Sequence, residues 1–375
     1  MKNLKEALKE INPRPVGVDG ISRMGYKDPI GSLRWDTNLL NLSPHLNPLQ
    51  SLQEDLAFGW FPDATESFPI EGRNLERGTV GNRIVERAIS RKLVPLLDKY
   101  FNNASYAFRP GRSPQAAILA ARALIRRGYR WAAKIDFEHF FEHVDREILR
   151  QQSLALIADE DLCSAILSAI SPILVVRGKS LQRRNGLPEG NGLSPILSNI
   201  YLHGLDQACS DLNYFRYADD ILVLGRTKLE AEQALQRLQR LAEPLKLKLN
   251  MRKKTIRDVY SRPLIFLGYK LCGGNILPPE KAVERLRKKL QKFRGQPQQG
   301  QEVMKGFVRR FRVGTVRKFF RRLDRRLLHL YPPGQSLVAL LDVMRVCMPV
   351  PWGLGKAAIE STQLQPPHGR GCHGD

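Results

Sequence analysis

The stretch YFRYADDILVL, residues 214–224, decides the fold. Its two β-rich runs, Tyr214–Tyr217 and Ile221–Leu224, are separated by Ala218 and two aspartates. This pattern predicts a β-hairpin that carries acids at its tip. Aspartate is a poor strand former and costs free energy when it is buried without a partner. Acids at this position therefore indicate a role beyond folding.

A third acid stands at the end of another predicted strand. The segment 130–137 is short and largely apolar, and Asp136 lies near its end, before a helical pattern begins. If the two strands are neighbours, the carboxylates of Asp136, Asp219 and Asp220 converge, and divalent cations bound through oxygen relieve their repulsion. Two such ions about 4 Å apart activate an attacking hydroxyl and stabilise a leaving pyrophosphate. Taken alone, the two hairpin acids are more typical of turn residues, and Asp136 of a helix N-cap.

The remaining periodicities predict a mixed helix and strand protein. Residues spaced as on one helix face predict helices over 83–100, 114–127, 194–205 and 228–243, and β-rich runs predict strands over 246–250 and 264–271. The low-complexity run GQPQQG, residues 295–300, is interpreted as a loop between helices. This order favours the α+β class, with an antiparallel sheet that helices cover on one face.

The charge balance restricts the class of partner. The chain of 375 residues has 60 Lys+Arg against 37 Asp+Glu, a net charge of +23. Residues 281–330 alone hold 17 basic and 3 acidic residues, which is +14. A field of this sign gathers polyanions, above all nucleic acid. At 42% hydrophobic residues the chain is also too apolar for a disordered tail protein.

Two further features bear on where the protein works. The apolar runs fall short of the roughly 20 residues that a membrane-spanning helix needs, and the N-terminus has charges where a secretory leader is apolar. The five cysteines form no CxxC pair, which argues against a disulfide framework or a zinc site. We therefore expect a cytoplasmic protein with no membrane partner.

The joint pattern of several motifs resembles the reverse transcriptase family. The YADD hairpin is preceded by KIDFEHFF, residues 134–141, and by GLPEGNGLSP, residues 186–195, in the family's order and spacing. Further similarity points to the group II intron-like, maturase-type lineage of bacterial enzymes. It comprises residues 18–21 (N-terminal extension), 73 with 79–85 and 106–113 (two fingers motifs), 254–255 and 266–269 (after the hairpin), and 306–327 (thumb).

The resemblance implies a right-hand polymerase with fingers, a ferredoxin-like palm and a helical thumb. The corresponding division is residues 1–128 for the N-terminal extension and fingers, and 129–277 for the palm, with fingers elements near 150–187. Residues 278–345 would be the basic thumb and 346–375 a C-terminal tail.

The resemblance also implies roles for individual residues. Asp136, Asp219 and Asp220 would be catalytic, with Asp220 less direct. Two Mg²⁺ ions, with Mn²⁺ as an alternative, would be held by Asp136, Asp219 and the backbone carbonyl of Phe137. The residues matching nucleotide-binding positions are Arg73, Phe141 as a steric gate, Gly190, Asn191 and Lys254. The residues expected to bind nucleic acid are Arg109, Arg112, Arg309, Arg310, Arg317, Lys318, Arg321 and Arg322.

Simpler interpretations stay open for several of these residues. Phe141 and its neighbour Phe140 are also typical of core aromatics, and Arg73 of a solvated surface residue. A charge pair on a strand edge would account for Lys254 equally well. Arg109 and Arg112 would either contact template phosphates or brace the fingers.

The sequence also departs from the family pattern. Glu189 stands where the family usually has Gln, and residues 66–72 lack the Lys that intron-type enzymes carry upstream of the position of Arg73. No endonuclease or DNA-binding domain is expected after the thumb, since the remaining residues read as a tail.

The resulting prediction is an RNA-directed DNA polymerase that makes cDNA by two-metal nucleotidyl transfer. Its partners would be dNTPs, primer and cDNA, an RNA template or structured non-coding RNA, and proteins encoded nearby. The setting would be a bacterial defence, CRISPR-linked, retron or diversity-generating system. The alternative is a maturase-like protein that binds structured RNA with little or no polymerase activity. An RNA-dependent RNA polymerase would be expected to have a smaller polar group in place of Phe141.

Overall fold

The computed structural model describes residues 62–70, 73–171, 173–176, 179–182 and 185–347. The predicted motif at residues 18–21 and almost all of the predicted tail lie outside these ranges. Within them, no helix is both long enough and apolar enough to cross a membrane.

The secondary structure is as follows, in chain order. The strands are β1 (Thr65–Ile70), β2 (Arg73–Arg77), β3 (Trp131–Ile135), β4 (Ile173–Val176), β5 (Lys179–Gln182), β6 (Tyr214–Tyr217), β7 (Asp220–Gly225), β8 (Thr255–Asp258), β9 (Leu264–Phe266), β10 (Tyr269–Cys272) and β11 (Asn275–Leu277). The helices are α1 (Val80–Asp98), α2 (Pro114–Arg126), α3 (Phe140–His143), α4 (Arg146–Ile157), α5 (Glu160–Ala169), α6 (Ser194–Tyr201), α7 (His203–Ala208), α8 (Lys228–Ala242), α9 (Glu280–Lys292), α10 (Pro297–Phe311), α11 (Arg317–Leu327) and α12 (Leu337–Cys347). Short 3-10 helices cover Glu243–Leu245 and Leu328–Leu330.

The chain divides into two compact units. In the described part of the chain, the first comprises residues 62–101, 139–203 and 245–247. Its sheet has the order β2-β1-β4-β5, in which β1 and β4 are parallel and the other pairs antiparallel. The predicted helix over 83–100 is confirmed as α1, which begins after Thr79, whose hydroxyl accepts a hydrogen bond from Asn82 N. Ile89 and Leu93 of α1 are buried, as their helical spacing predicts.

The described residues of the second unit are 102–138, 204–244 and 248–347. Its four-stranded sheet is antiparallel throughout, with the order β6-β7-β3-β8. The predicted hairpin is confirmed as β6 and β7, and the predicted helices over 114–127 and 228–243 as α2 and α8. β3 therefore lies in the interior of the sheet, with the hairpin on one side and β8 on the other.

The sheet of the second unit is buried on both faces, so the prediction of one covered face is wrong. Leu222 and Leu224 of β7 belong to the core that α2 shares, while Ile221 and Val223 point to the opposite face and are equally buried. α8 packs against β7, β3 and β8. Strands with continuous apolar runs are typical of a sheet covered on both sides.

The predicted strand over 246–250 is wrong. Its apolar alternation is real, since Leu247 and Leu249 are buried, but Lys246 has a φ of +54°, which takes the backbone out of the extended region. The pairing shrinks to one isolated bridge between Leu249 and Phe137.

Three other segments are divided differently from the prediction. Residues 264–271 form two short strands, because Leu267 and Gly268 both have positive φ and make the tight turn of a hairpin. Residues 194–205 fall into α6 and the start of α7 rather than one helix. The run 295–300 is a loop only as far as residue 296, since α10 begins at Pro297, a residue favoured at the first helical position.

The C-terminal helices of the second unit pack around aromatic side chains. The rings of Phe307 and Phe311 on α10 lie with centroids 4.9 Å apart, and Phe311 meets the edge of Tyr269 from β10 at 5.3 Å. Phe320 of α11 is fully buried in the same core. The basic helices are therefore joined to the rest of the second unit by an apolar core.

Candidate active site

The acids of the hairpin lie at a two-residue turn between β6 and β7. Tyr217 pairs with Asp220, which leaves Ala218 and Asp219 as the turn. Ala218 has a φ of +56°, a left-handed conformation that most L-residues avoid. The turn therefore holds Asp219 and Asp220 at the end of the sheet at some cost in backbone strain.

Asp136 reaches the same end of the sheet from β3. The register pairs Ile135 with Ile221 in antiparallel strands, so Asp136, which follows Ile135, and Asp220, which precedes Ile221, lie at the same end of the sheet. Asp136 is 8% exposed, and Asn250 N donates to its backbone carbonyl at 2.8 Å. All three acids thus lie at the same end of the sheet in the second unit.

Two ammonium groups lie beside these carboxylates. Lys253 Nζ lies 2.6 Å from Asp136 Oδ2. The hydrogen bond to Asp136, followed by the negative charges of Asp136, Asp219 and Asp220, raises the pKa of Lys253. On the neighbouring strand, Lys134 Nζ lies 3.3 Å from Asp220 Oδ1. The acids therefore form one field that already attracts cations.

The carboxylate oxygens of these acids are the type of ligand that Mg²⁺ prefers. Asp136 Oδ1 is buried and has no hydrogen-bond partner, which is unusual for a carboxylate oxygen. An oxygen-binding cation would satisfy it, and the other oxygen of Asp136 is already held by the Lys253 ammonium. In the described ranges, no group of three or more His, Cys, Asp or Glu side chains is close enough to hold a metal as it stands.

The Gly-rich turn 190–192 belongs to the first unit and is fastened to α1. Glu86 of α1 accepts hydrogen bonds from Asn191 Nδ2 at 2.7 Å and from Gly192 N at 2.8 Å. Gly190 has a φ of +109°, and a Cβ there would lie 2.5 Å from the backbone oxygen of Glu76. Only glycine fits at that position. The Asn191 side chain is turned into the protein, where it also donates to Ala169 O.

Glu86 is a buried acid that the sequence pattern does not single out. It is 3% exposed, and burial raises its pKa to about 7, although the Gly192 hydrogen bond and the charge of Arg83 oppose the shift. The only sequence signal is a Glu within the buried stripe of α1, where an apolar residue is the norm. Lys253 was missed for a different reason, since it adjoins Lys254, the residue that matches the family motif.

Phe141, Arg73 and Lys254 are the remaining candidates for nucleotide binding. Phe140 is buried and Phe141 half-buried, with ring centroids 5.4 Å apart, so the core-aromatic alternative holds for Phe140. Arg73 is the first residue of β2 and pairs with Ile70 through the backbone. Lys254 is exposed beside Lys253. The roles assigned to Phe141, Arg73 and Lys254 stay predictions.

The two arginines of the fingers motif make intramolecular contacts. Arg109 is buried, and its Nη1 donates to Asn102 O at 2.6 Å and Ser105 O at 3.0 Å. Arg112 Nη1 donates to Asn103 O at 2.7 Å. These contacts support the bracing alternative, most strongly for Arg109.

The basic residues of α11 form one exposed surface. Phe320, Leu323 and Leu327 are buried, and the six basic residues of the helix are exposed. We call this surface the α11 basic face; it consists of Arg317, Lys318, Arg321, Arg322, Arg325 and Arg326. Among its described contacts, the only ion pair to a carboxylate is that of Arg317, which holds Asp342 with two contacts of 3.0 Å. Arg309 and Arg310, at the end of α10, are also exposed.

Comparison with known proteins identifies the family. Residues 73–271, more than half of the chain, match the profile of the reverse transcriptase (RNA-dependent DNA polymerase) family. The chain belongs to this family. Membership confirms the predicted α+β, right-hand polymerase class.

Individual relatives place the chain in the group II intron-like lineage. Protein YkfC of Escherichia coli K12 is 28% identical over 232 residues, which is 51% of this chain and 60% of that protein. The group II intron-encoded protein LtrA of Lactococcus lactis is 27% identical over 165 residues, 42% of this chain and 27% of LtrA. The chain thus spans less than two thirds of the length of these relatives.

Solved structures similar to this chain include two telomerases. The telomerase of Candida albicans in complex with a fragment of telomeric RNA has a TM-score of 0.47 at 10% identity, over 89% of this chain and 71% of that one. Apo telomerase of Candida tropicalis has a TM-score of 0.49 at 9% identity, over 80% and 69%.

Proposed function

We propose that the protein is an RNA-directed DNA polymerase that copies an RNA template into cDNA by two-metal nucleotidyl transfer. The observation that carries the proposal is the set of acids at the end of the β6-β7-β3 sheet. Asp136 has a buried oxygen without a partner, and all three carboxylates act on one ammonium group. An acid cluster of this kind in a chain of net charge +23 is suited to hold divalent cations against the phosphates of a nucleotide.

The residues of the site would have different roles. Asp136, Asp219 and the backbone carbonyl of Phe137 would hold two Mg²⁺, or Mn²⁺, which when bound supply charge stabilisation for the attacking and leaving oxygens. Asp220, paired with Lys134, would hold the turn in place. Lys253 already holds Oδ2 of Asp136, so the unpartnered Oδ1 is the oxygen of this carboxylate that a cation would bind.

The nucleotide would be held by the remaining candidates. Arg73 suits the triphosphate, since a guanidinium binds phosphate oxygens in pairs. Phe141 would exclude a 2′-hydroxyl by its bulk, and the Gly190 turn would let the backbone approach the nascent base pair. The exposed Lys254 would offset charge on the pyrophosphate.

The template would be bound through phosphates by the α11 basic face. One exposed lysine and five exposed arginines in two adjacent rows along one helix match the backbone of a nucleic acid duplex or a structured RNA. The same surface is the observation that favours the second candidate function, a maturase-like RNA-binding protein without polymerase activity. We further propose a bacterial cytoplasmic setting in defence, CRISPR-linked, retron or diversity-generating systems, which sequencing of co-purified RNA would test.

Primer extension on poly(rA) with oligo(dT), dTTP and Mg²⁺ separates the two functions. Asp219→Asn should lower the rate by at least about a hundredfold, as expected when an electrostatic contact to the reacting atoms is lost. Asp211→Asn is the matched control, because Asp211 is an exposed acid paired with Arg237 on the surface. Equal extension by wild type and folded Asp219→Asn would overturn the catalytic assignment. Absence of extension by wild type that still binds RNA would favour the maturase-like alternative.

A further inference from the structure

Arg216 is a fully buried arginine close in sequence to the turn that carries Asp219 and Asp220. It is the third residue of β6, two residues before Ala218, and has 0% relative exposure. Arginine is almost never fully buried unless it is paired. Its partner is Asp206 of α7, which is equally buried and accepts from Arg216 Nε at 2.7 Å and from Nη2 at 2.5 Å.

The guanidinium reaches beyond this ion pair to the turn itself. Arg216 Nη1 donates to Ala218 O at 3.0 Å, while Nη2 also donates to Ser105 Oγ at 2.8 Å. The Asp206 carboxylate is in turn oriented by Tyr214, whose hydroxyl donates to Oδ1 at 3.0 Å. One rigid planar group thus joins α7, the loop at Ser105 and the turn that carries the acids.

The contact to Ala218 falls on the peptide that determines where Asp219 points. The carbonyl of Ala218 is bonded to the nitrogen of Asp219, so fixing that oxygen fixes the plane from which the Asp219 side chain projects. Ala218 is held at a φ of +56°, which an L-residue adopts only when its surroundings impose it. A hydrogen bond from a charged donor is among the stronger contacts that can impose it.

Stability alone does not account for this arrangement. The cost of removing two charges from water can exceed the attraction between them, and apolar residues of similar volume often replace a buried pair without loss. What apolar residues cannot supply is a donor aimed at Ala218 O. The geometry therefore points to orientation of the turn as the specific contribution of Arg216.

We propose that Arg216, held by Asp206, is a positioning residue that sets the Asp219 carboxylate for cation binding. The catalytic part of this inference rests on the proposed polymerase function, whereas the positioning part does not. Arg216 touches neither substrate nor reacting atoms in this assignment. It acts through the Ala218 peptide.

The test compares Arg216→Lys with Ser105→Ala. Lysine keeps the charge opposite Asp206 but lacks the fork that also reaches Ala218 O, whereas Ser105→Ala removes another contact of the same guanidinium and leaves the turn contact in place. Three measurements are made on the full chain: hydrogen exchange of peptides spanning residues 214–225, Mn²⁺ affinity by electron paramagnetic resonance, and steady-state primer extension.

We expect Arg216→Lys to speed exchange at the turn at least tenfold, to weaken Mn²⁺ binding at least threefold, and to lower kcat tenfold or more with KM for primer–template within twofold. Ser105→Ala should leave all three near wild type. A folded Arg216→Lys protein with wild-type exchange and Mn²⁺ affinity would overturn the proposal.

If Arg216→Lys does not fold, the double variant Asp206→Leu with Arg216→Met replaces the pair by apolar residues and still removes the donor to Ala218 O. The same changes in exchange and Mn²⁺ affinity are then expected, and wild-type values would again refute the positioning role. Failure of the wild type to extend primers would contradict the polymerase proposal alone, because exchange and Mn²⁺ binding still decide the role of Arg216.

Discussion

Replacing Glu86 with Gln should remove a pH dependence from the stability of the first unit. Glu86 lies on α1, and its buried carboxylate accepts hydrogen bonds from Asn191 and Gly192. Burial disfavours its charged form and raises its pKa from 4.5 to about 7. Gln has nearly the same shape and an acceptor oxygen, but it does not titrate.

The sign and size of the effect follow from proton linkage. Because the folded state binds the Glu86 proton more tightly than the unfolded chain, its contribution to stability is fully present below the unfolded pKa and is lost as the pH rises through the folded pKa. A shift from 4.5 to about 7 corresponds to about 3 kcal/mol at about 1.4 kcal/mol per unit. Wild type should therefore lose about 3 kcal/mol relative to Glu86→Gln between roughly pH 4.5 and roughly pH 8.

Urea unfolding followed by circular dichroism measures this difference. Unfolding free energies of wild type and Glu86→Gln are determined across that pH interval for the transition in which α1 unfolds. Glu243→Gln is the control, since Glu243 is exposed and its replacement causes the same change in charge. Parallel pH profiles for wild type and Glu86→Gln would refute the reasoning, because they would show that the buried carboxylate ionises as it does in the unfolded chain.

Three further changes have defined outcomes. Phe141→Ala should raise incorporation of ribonucleotides relative to deoxyribonucleotides by about tenfold or more in primer extension, and an unchanged ratio would show that the gate lies elsewhere. Gly190→Ala should lower the free energy of unfolding in urea by more than about 2 kcal/mol, because its Cβ would meet the backbone at 2.5 Å. Gly111→Ala is the control, since Gly111 has a φ of +68° and open space around it, and the change should lower the same free energy by only about 1 kcal/mol. The double variant Lys318→Gln with Arg321→Gln should reduce the slope of log RNA affinity against log salt by up to about 2, since each phosphate contact contributes about 0.9 or less. Parallel plots for wild type and variant would mean that these two residues are merely solvated.

Local patterns were sufficient to predict much of the second unit. The hairpin of residues 214–225, the helices α2 and α8 and the strand that ends before Asp136 all follow from periodicity within one segment. Pairing between segments that are distant in the sequence could not be predicted. β1 forms a parallel pair with β4, about a hundred residues further along the chain, and no local pattern reports such a partner.

The candidate site, too, could be predicted only in part. The positions of Asp136, Asp219 and Asp220 at strand ends could be predicted, because register within a sheet follows from alternation and turns. The choice of Lys253 rather than Lys254 as the partner of Asp136 could not, since it depends on where a turn after residue 250 aims two adjacent side chains. Glu86 was missed because a charged residue on a helix is usually solvated, and its burial is a property of the packed protein.

The interior position of β3 has a consequence for synthesis on the ribosome. β3 is complete at residue 135, but both of its neighbours, β7 and β8, are translated later, the second only at residue 258. At roughly 5 to 20 residues per second, the strand waits roughly 6 to 25 s for its last partner. Both edges of this apolar strand stay unpaired until β7 is complete at residue 225, and one edge stays unpaired until β8 is made. An unpaired edge of this kind is a template for aggregation. Efficient production of this protein should therefore depend on chaperones that shield residues 131–135 until translation has passed residue 258.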